Sequence, residues 1–124
     1  MTPLPSATLT RWDDLPLEAM RGSITRRFVT TDKQMLAQIT LSKGDEVPAH
    51  RHHNEQVTYV LTGALRFLFE DGQDVEVIVS AGEVVVIPSD LLHSAIALED
   101  TFELDIFSPP RADWIDGGDA YLRG

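Results

Sequence analysis

Residues 44–63 read GDEVPAHRHHNEQVTYVLTG. Three of the chain's four histidines, His50, His52 and His53, crowd into four positions of this stretch, and an apolar run closed by a glycine follows at once. Imidazoles packed at the entrance of a buried strand ask for a chemical reason. Little else in the sequence looks like chemistry, so the fold and the function are read outward from here.

On either side lie short β-type segments: Ile24–Thr30 and Met35–Ser42 before it, Gln56–Thr62 within it, then Leu65–Glu70, Val75–Val79, Glu83–Ile87, Ser94–Leu98 and Thr101–Ser108. Turn signals separate them, among them TTDK (30–33), SKGDEVP (42–48), EDGQD (70–74), SAGE (80–83), IPSD (87–90) and SPP (108–110). Many short strands at close spacing predict an antiparallel sandwich or barrel, an all-β fold. Only DDLPLEAM (13–20) and RADWIDGG (111–118) have room for a helical turn. With 124 residues and no repeat or linker, one domain is expected over 1–124, with the barrel over about 35–108.

Composition narrows the function classes. A hydrophobic share of 43% argues against disorder. No run approaches the ~18 apolar residues of a membrane span. The start, MTPLPSATLT, has neither the basic opening nor the apolar stretch of a secretory signal, so a cytoplasmic location is expected. Without cysteine there are no disulfides and no thiolate ligands. A net charge of -10 opposes nucleic-acid binding, whose affinity comes from neutralising phosphates, and the Arg26–Arg27 pair reads as a solvated patch.

Strand parity then sorts the candidates. Met35, Ala37, Ile39 and Leu41 share one face of a core strand. Over Thr101–Ser108, Phe102, Leu104 and Ile106 fall on one side, with Glu103, Asp105 and Phe107 on the other. That second side is either a barrel interior with carboxylates at a binding site or a solvated face, and spacing leaves both open. His50, His52 and Gln56 share parity on an extended strand, while a single bulge would offer Glu55 in place of Gln56. Imidazole nitrogens and an amide oxygen suit Zn, Ni, Mn, Fe or Cu, and an antiparallel fold can bring His93 beside them. Read from spacing alone, the histidines equally describe a solvated turn.

The two spaced patterns bear a closer resemblance. Gly44, His50, His52, Gln56 and Gly63 resemble the first motif of the cupins, and Gly82, Pro88 and His93 resemble the second. The chain departs from the pattern in having Gln56 where glutamate is usual and Asp90 where glycine is usual. The resemblance implies a jelly-roll β-barrel holding one divalent transition metal ion on His50, His52, Gln56 and His93. A neutral glutamine would leave the ion its full charge and favour an anionic or carbonyl-bearing ligand.

Within the family, HRHHNEQ followed by YVLTG, and the ending LDIFSPPRADW (104–114), are similar to the small pectin-degradation cupins of the KdgF type. That resemblance implies isomerase or lyase chemistry, ring opening and ketonisation of an unsaturated monouronate. It implies Asp105 and Arg111 as catalytic residues, with Phe107 and Arg111 lining the substrate pocket. An Fe- or Cu-dependent dioxygenase and a non-enzymatic ligand-binding barrel remain as alternatives. A homodimer is expected, because the Phe102/Leu104/Ile106 face leaves an apolar surface that a small barrel does not cover by itself.

Overall fold

The protein is described by a computed structural model covering residues 6–70 and 72–124. Residues 1–5 of the opening segment, and Asp71 of the 70–74 turn, lie outside the described residues. A single 3-10 turn at Trp12–Asp14 precedes ten strands: β1 Glu18–Ala19, β2 Thr25–Thr30, β3 Met35–Leu41, β4 Glu46–His50, β5 Glu55–Thr62, β6 Ala64–Glu70, β7 Asp74–Ser80, β8 Val84–Ile87, β9 His93–Ala97 and β10 Thr101–Ser108. Two short helices close the chain, α1 Ala112–Asp116 and α2 Ala120–Arg123. The strands form a six-stranded sheet, β1-β2-β3-β10-β5-β8, facing a four-stranded sheet, β4-β9-β6-β7. Every pairing is antiparallel, so the fold is the expected all-β jelly roll.

Seven of the eight predicted strands shift by a residue or so at an end, and Thr101–Ser108 is matched at both ends. The two strands that sequence reading did not anticipate are both at sheet edges. β4 begins inside the turn signal at 42–48 and carries its Pro48; proline cannot donate to a ladder, but an edge strand has a free side where no donor is needed. β1, two residues long, occupies the segment where a helical turn had room, and that turn is confined to Trp12–Asp14. The crossing from β5 to β6 is made at Gly63, with φ 89°, where a Cβ would collide with the carbonyl oxygen of Asp100 and the Cα of Thr101.

The interior is built by alternation. From β3, Met35, Ala37, Ile39 and Leu41 point inward and are buried, as expected, and Val60, Leu65, Phe67, Phe69, Val79 and Ile87 meet them from the other strands. β10 follows its own rule. Its polar side, Glu103 and Asp105, faces inward with Phe107, at 6%, 5% and 1% exposure, and its apolar side faces out, with Ile106 at 40%. The interior reading of that strand is therefore the correct one. Opposite Asp105 across the ladder stands Thr58, so the six-stranded sheet carries a polar patch into the barrel there.

The C-terminal segment covers one end of this interior. Trp114 and Leu122 join the core cluster, and the amide of Arg21 donates to the carbonyl of Leu122 at 2.7 Å. Arg26 and Asp119, each with a fully buried side chain, pair at 2.7 Å and fasten α2 to β2.

Candidate metal centre

Each histidine reaches the site by a different route. The β4–β9 ladder puts His50 directly opposite His93, with their rings 4.3 Å apart. His52 is off the strand, in the turn between β4 and β5. Shared strand parity is therefore not what aligns His50 with His52, because β4 ends at His50; the turn swings His52 back toward the same point. Asp90 helps to hold it there, in the left-handed region at φ 66°, with its amide donating to the carbonyl of His52 at 2.8 Å. Aspartate tolerates that conformation better than most residues, so the usual glycine is dispensable.

The three rings are oriented alike. Nδ1 of His50, His52 and His93 lies 2.8, 3.0 and 2.8 Å from the carbonyl oxygens of Pro48, Asn54 and Leu91. A carbonyl only accepts, so each Nδ1 carries the hydrogen and each Nε2 lone pair is left bare. Nε2 of His52 and of His93 are buried without a hydrogen-bond partner among the described residues, and one ring nitrogen from each histidine lies within 4.8 Å of the others. Burial pushes His50 down to about 3, helped by the neighbouring His93, and pushes His52 down to about 4. His93 is lowered for the same first reason. Three neutral imidazoles with converging bare nitrogens are a donor set that fits a transition metal ion.

Gln56 lies inside the barrel beside them, 6% exposed, whereas Glu55 points out to solvent. The Gln56 amide donates to Thr58 Oγ1 at 2.9 Å and more weakly to Asp105 Oδ1 at 3.4 Å. With its nitrogen so engaged, its oxygen is the end available to the histidines; this orientation follows from the hydrogen-bond network. Behind the amide lie the two carboxyls. Asp105 Oδ1 accepts a 2.6 Å hydrogen bond from Thr58, and Glu103 lies on the same inward face of β10. Burial raises Asp105 to about 6, against the pull of Thr58, Gln56 and Arg111. Glu103 is raised well above the carboxylate range by burial and by the charge of Asp105, and its Oε2 has no partner among the described residues. Burial and mutual repulsion both favour the protonated form of such a pair.

A cavity of about 40 Å³ joins these groups, lined on its polar side by His50, His93, Gln56, Glu103, Asp105 and Arg111. Phe107 forms part of the same wall and meets the edge of His52, with ring centres 5.7 Å apart. Arg111 is 2% exposed and sits over Phe107 and Trp114, at 5.0 and 4.9 Å from their ring centres. Its planar fork is already engaged: Nε and Nη2 donate to Asp113 at 2.9 and 2.8 Å. Sequence reading overlooked Tyr121, whose ring stacks on His50 at 4.3 Å and which also lines the cavity. It lies ten residues beyond Arg111, on a helix of four residues, where no periodicity announces a function.

Comparison with known proteins gives a consistent family signal. A model described as a cupin domain matches residues 37–108. No curated protein sequence matches. Among solved structures, an RmlC-like cupin from Shewanella frigidimarina NCIMB 400 is similar with TM-score 0.78 and 25% identity, over 88% of this chain and 96% of that one. KdgF from a Halomonas species is similar with TM-score 0.76 and 27% identity, over 88% and 99%. The Mn(II)-containing oxalate decarboxylase of Bacillus subtilis shares the fold, with TM-score 0.72 at 23% identity over 83% of this chain and 30% of that larger one.

Proposed function

Because the chain belongs to the cupin-domain family, we propose that its barrel binds one divalent transition metal ion and works as an isomerase on a small carboxylate, best matched by an unsaturated monouronate. The observation that carries this reading is the convergence of three histidine ring nitrogens within 4.8 Å of one another, beside a small cavity that His50, His93 and the buried carboxyls of Asp105 and Glu103 line. His50, His52 and His93 through Nε2, and Gln56 through its amide oxygen, would hold the ion. When bound, the ion supplies positive charge that polarises ligand oxygens and offsets the chain's net charge of -10. The likeness to KdgF supports the uronate class.

The chemistry asked of the protein is small. Ketonisation moves one proton from an enol oxygen to a carbon and changes nothing else in the composition. One group that both accepts and donates is enough, and a carboxyl raised to about 6 does both near neutral pH. Thr58 and Gln56 fix Asp105 in place, and Glu103, held toward its protonated form by burial, stands beside it on the same face. Such general acid–base help is worth about 10² to 10⁴-fold in rate. A cavity of about 40 Å³ has room for a carboxylate or hydroxyl head. The body of a sugar acid would lie toward the half-buried rims of His50 and His52.

Elemental analysis of protein purified without a chelating tag tests the first half of the reading. Near-stoichiometric metal that disappears in His93→Ala supports it, and no metal even after incubation sinks it. Turnover of an unsaturated monouronate, lost in Asp105→Asn with metal content unchanged, supports the second half. Iron with oxygen uptake on a phenolic or thiol substrate, and no uronate turnover, would make it an oxygenase; retained metal with no turnover would make it a binding barrel. The outward Val57, Tyr59, Val84, Val86, Leu104 and Ile106 adjoin across the β10–β5–β8 ladders, and this apolar patch is the proposed homodimer face.

A further inference from the structure

The residue expected to grip the ligand carboxylate is largely engaged within the chain. Arg111 spends Nε and one hydrogen of Nη2 on Asp113, and Nη2 also donates to the hydroxyl of Tyr121 at 2.8 Å. The Nε–Nη2 edge of its fork is therefore closed by Asp113, and with both Nη2 hydrogens spent only Nη1 has hydrogens left for a ligand. The Tyr121 hydroxyl is a different matter. It accepts from Arg111 and also from Trp114 Nε1 at 3.2 Å. A phenol has two acceptor positions and one donor hydrogen. Both acceptor positions are filled, and among the described residues the hydrogen has no acceptor. The ring is stacked on His50 and borders the cavity that Gln56, His93 and Asp105 also line.

The structure assigns to Tyr121 the role of the hydrogen-bond donor that meets an anionic oxygen of the ligand, with Arg111 as the positioning residue behind it. This rests on the carboxylate-ligand reading above. Two donors converging on one oxygen leave its O–H a single direction and fix the hydroxyl before any ligand arrives. The guanidinium at 2.8 Å also polarises the O–H bond, so the positive charge acts through the phenol. A donor held in advance at the place where negative charge will sit costs no reorganisation when the ligand binds. Tyr121 is thereby a specificity-determining residue: it favours a ligand with an anionic oxygen beside His50, and a neutral analogue of the same shape gains less.

The chain contains two tyrosines, and the other, Tyr59, is on the outer sheet face at 39% exposure. Fluorotyrosine labelling of the zinc-loaded protein therefore gives two ¹⁹F signals, and Tyr59→Phe assigns them. The probe is D-galacturonate, a saturated uronate that carries the carboxylate but has no enol to ketonise. Expected are binding by calorimetry, a shift of the Tyr121 signal that saturates with the same dissociation constant, and a still Tyr59 signal. Tyr121→Phe keeps the ring on His50, so zinc content should hold while affinity falls about tenfold or more. Arg111→Lys should weaken binding in the native background and add nothing once Tyr121 is phenylalanine.

Galacturonate that binds without moving the Tyr121 signal, or binds Tyr121→Phe equally well, overturns the assignment while leaving the carboxylate reading intact. Should Tyr121→Phe fail to fold, the fluorine shift in the otherwise native chain decides alone. Failure of the zinc-loaded native protein to bind galacturonate at all removes the carboxylate reading, and the assignment with it.

Discussion

Two polar clusters are buried in this small barrel, and they are built in opposite ways. At the C-terminal end, Arg26 pairs with Asp119 at 2.7 Å and with Glu18 at 3.1 Å, Asp119 is shared with Arg123, and the Arg26 guanidinium lies 4.3 Å from the Trp114 ring centre. Charge meets opposite charge there, and even Arg26 Nη2, which makes no hydrogen bond among the described residues, lies 3.1 Å from the Glu18 carboxylate. Around the histidines, Nε2 of His52, Nε2 of His93 and Oε2 of Glu103 have no hydrogen-bond partner among the described residues and no cation paired with them. The first cluster is ion-paired and holds α2 on the barrel. The second keeps converging lone pairs open, which folding by itself has no reason to preserve. Lone pairs left without a positive partner, more than buried polarity as such, separate the candidate site from the structural cluster.

That contrast can be broken most forcefully on the ion-paired side. Asp119→Ala leaves the buried Arg26 with Glu18 as its remaining partner, and a loss of about 3 kcal/mol in urea unfolding is expected. If Asp119→Ala is nearly neutral, the cluster is not the fastener described. On the open side the expected sign changes. Zinc at about a hundred times its dissociation constant should stabilise the native chain by about 2.7 kcal/mol and leave His93→Ala unmoved. Thermal melts with and without zinc measure it.

Glu103→Gln sharpens the comparison with a gain. The native-state pKa of Glu103 is raised, so its favourable contribution is full below its unfolded value of about 4.3 and is lost as pH rises. At pH 7 the metal-free variant should be about 1–3 kcal/mol more stable than the native chain, with the gap closing below about pH 4. Denaturant midpoints across pH 3.5 to 7.5 test this, and a gap that widens toward acid would reverse the argument. Asp119 is the mirror case. Its pKa is lowered by Arg123 and Arg26 against the opposing effect of burial, so its stabilisation is present above about pH 4 and fades below it. The smallest effect belongs to the outer face. Val86→Lys, at a residue 58% exposed, should change stability by less than about 0.5 kcal/mol yet abolish self-association measured by light scattering.

Much of this was legible in the residues. The alternation in β3 named its buried face correctly, and the two glycine-framed histidine motifs announced a barrel and a site. β10 shows where reading stops. Its period separates Glu103, Asp105 and Phe107 from Phe102, Leu104 and Ile106, but a period of two defines two faces without saying which is inside. Ordinary hydrophobic patterning would have turned that strand over. The ion-pair geometry of Arg111 and the stacking of Tyr121 on His50 arise from the packing of two helices of five and four residues, too short to carry a pattern. His52 reached the site by a turn, although an extended strand was the reason for expecting it there.

The amide of Asp90 that grips the carbonyl of His52 also has a meaning in time. His50 and His52 are neighbours in the chain, but His93 and Asp90 lie beyond the four intervening strands β5 to β8. Contacts that bridge such a separation form late on a folding route, because the chain between them must first be closed. An ion held by His93 together with His50 and His52 therefore has little to grip in the transition state. It should act as a brake on unfolding, lengthening the life of the finished barrel while leaving the rate of its formation nearly unchanged.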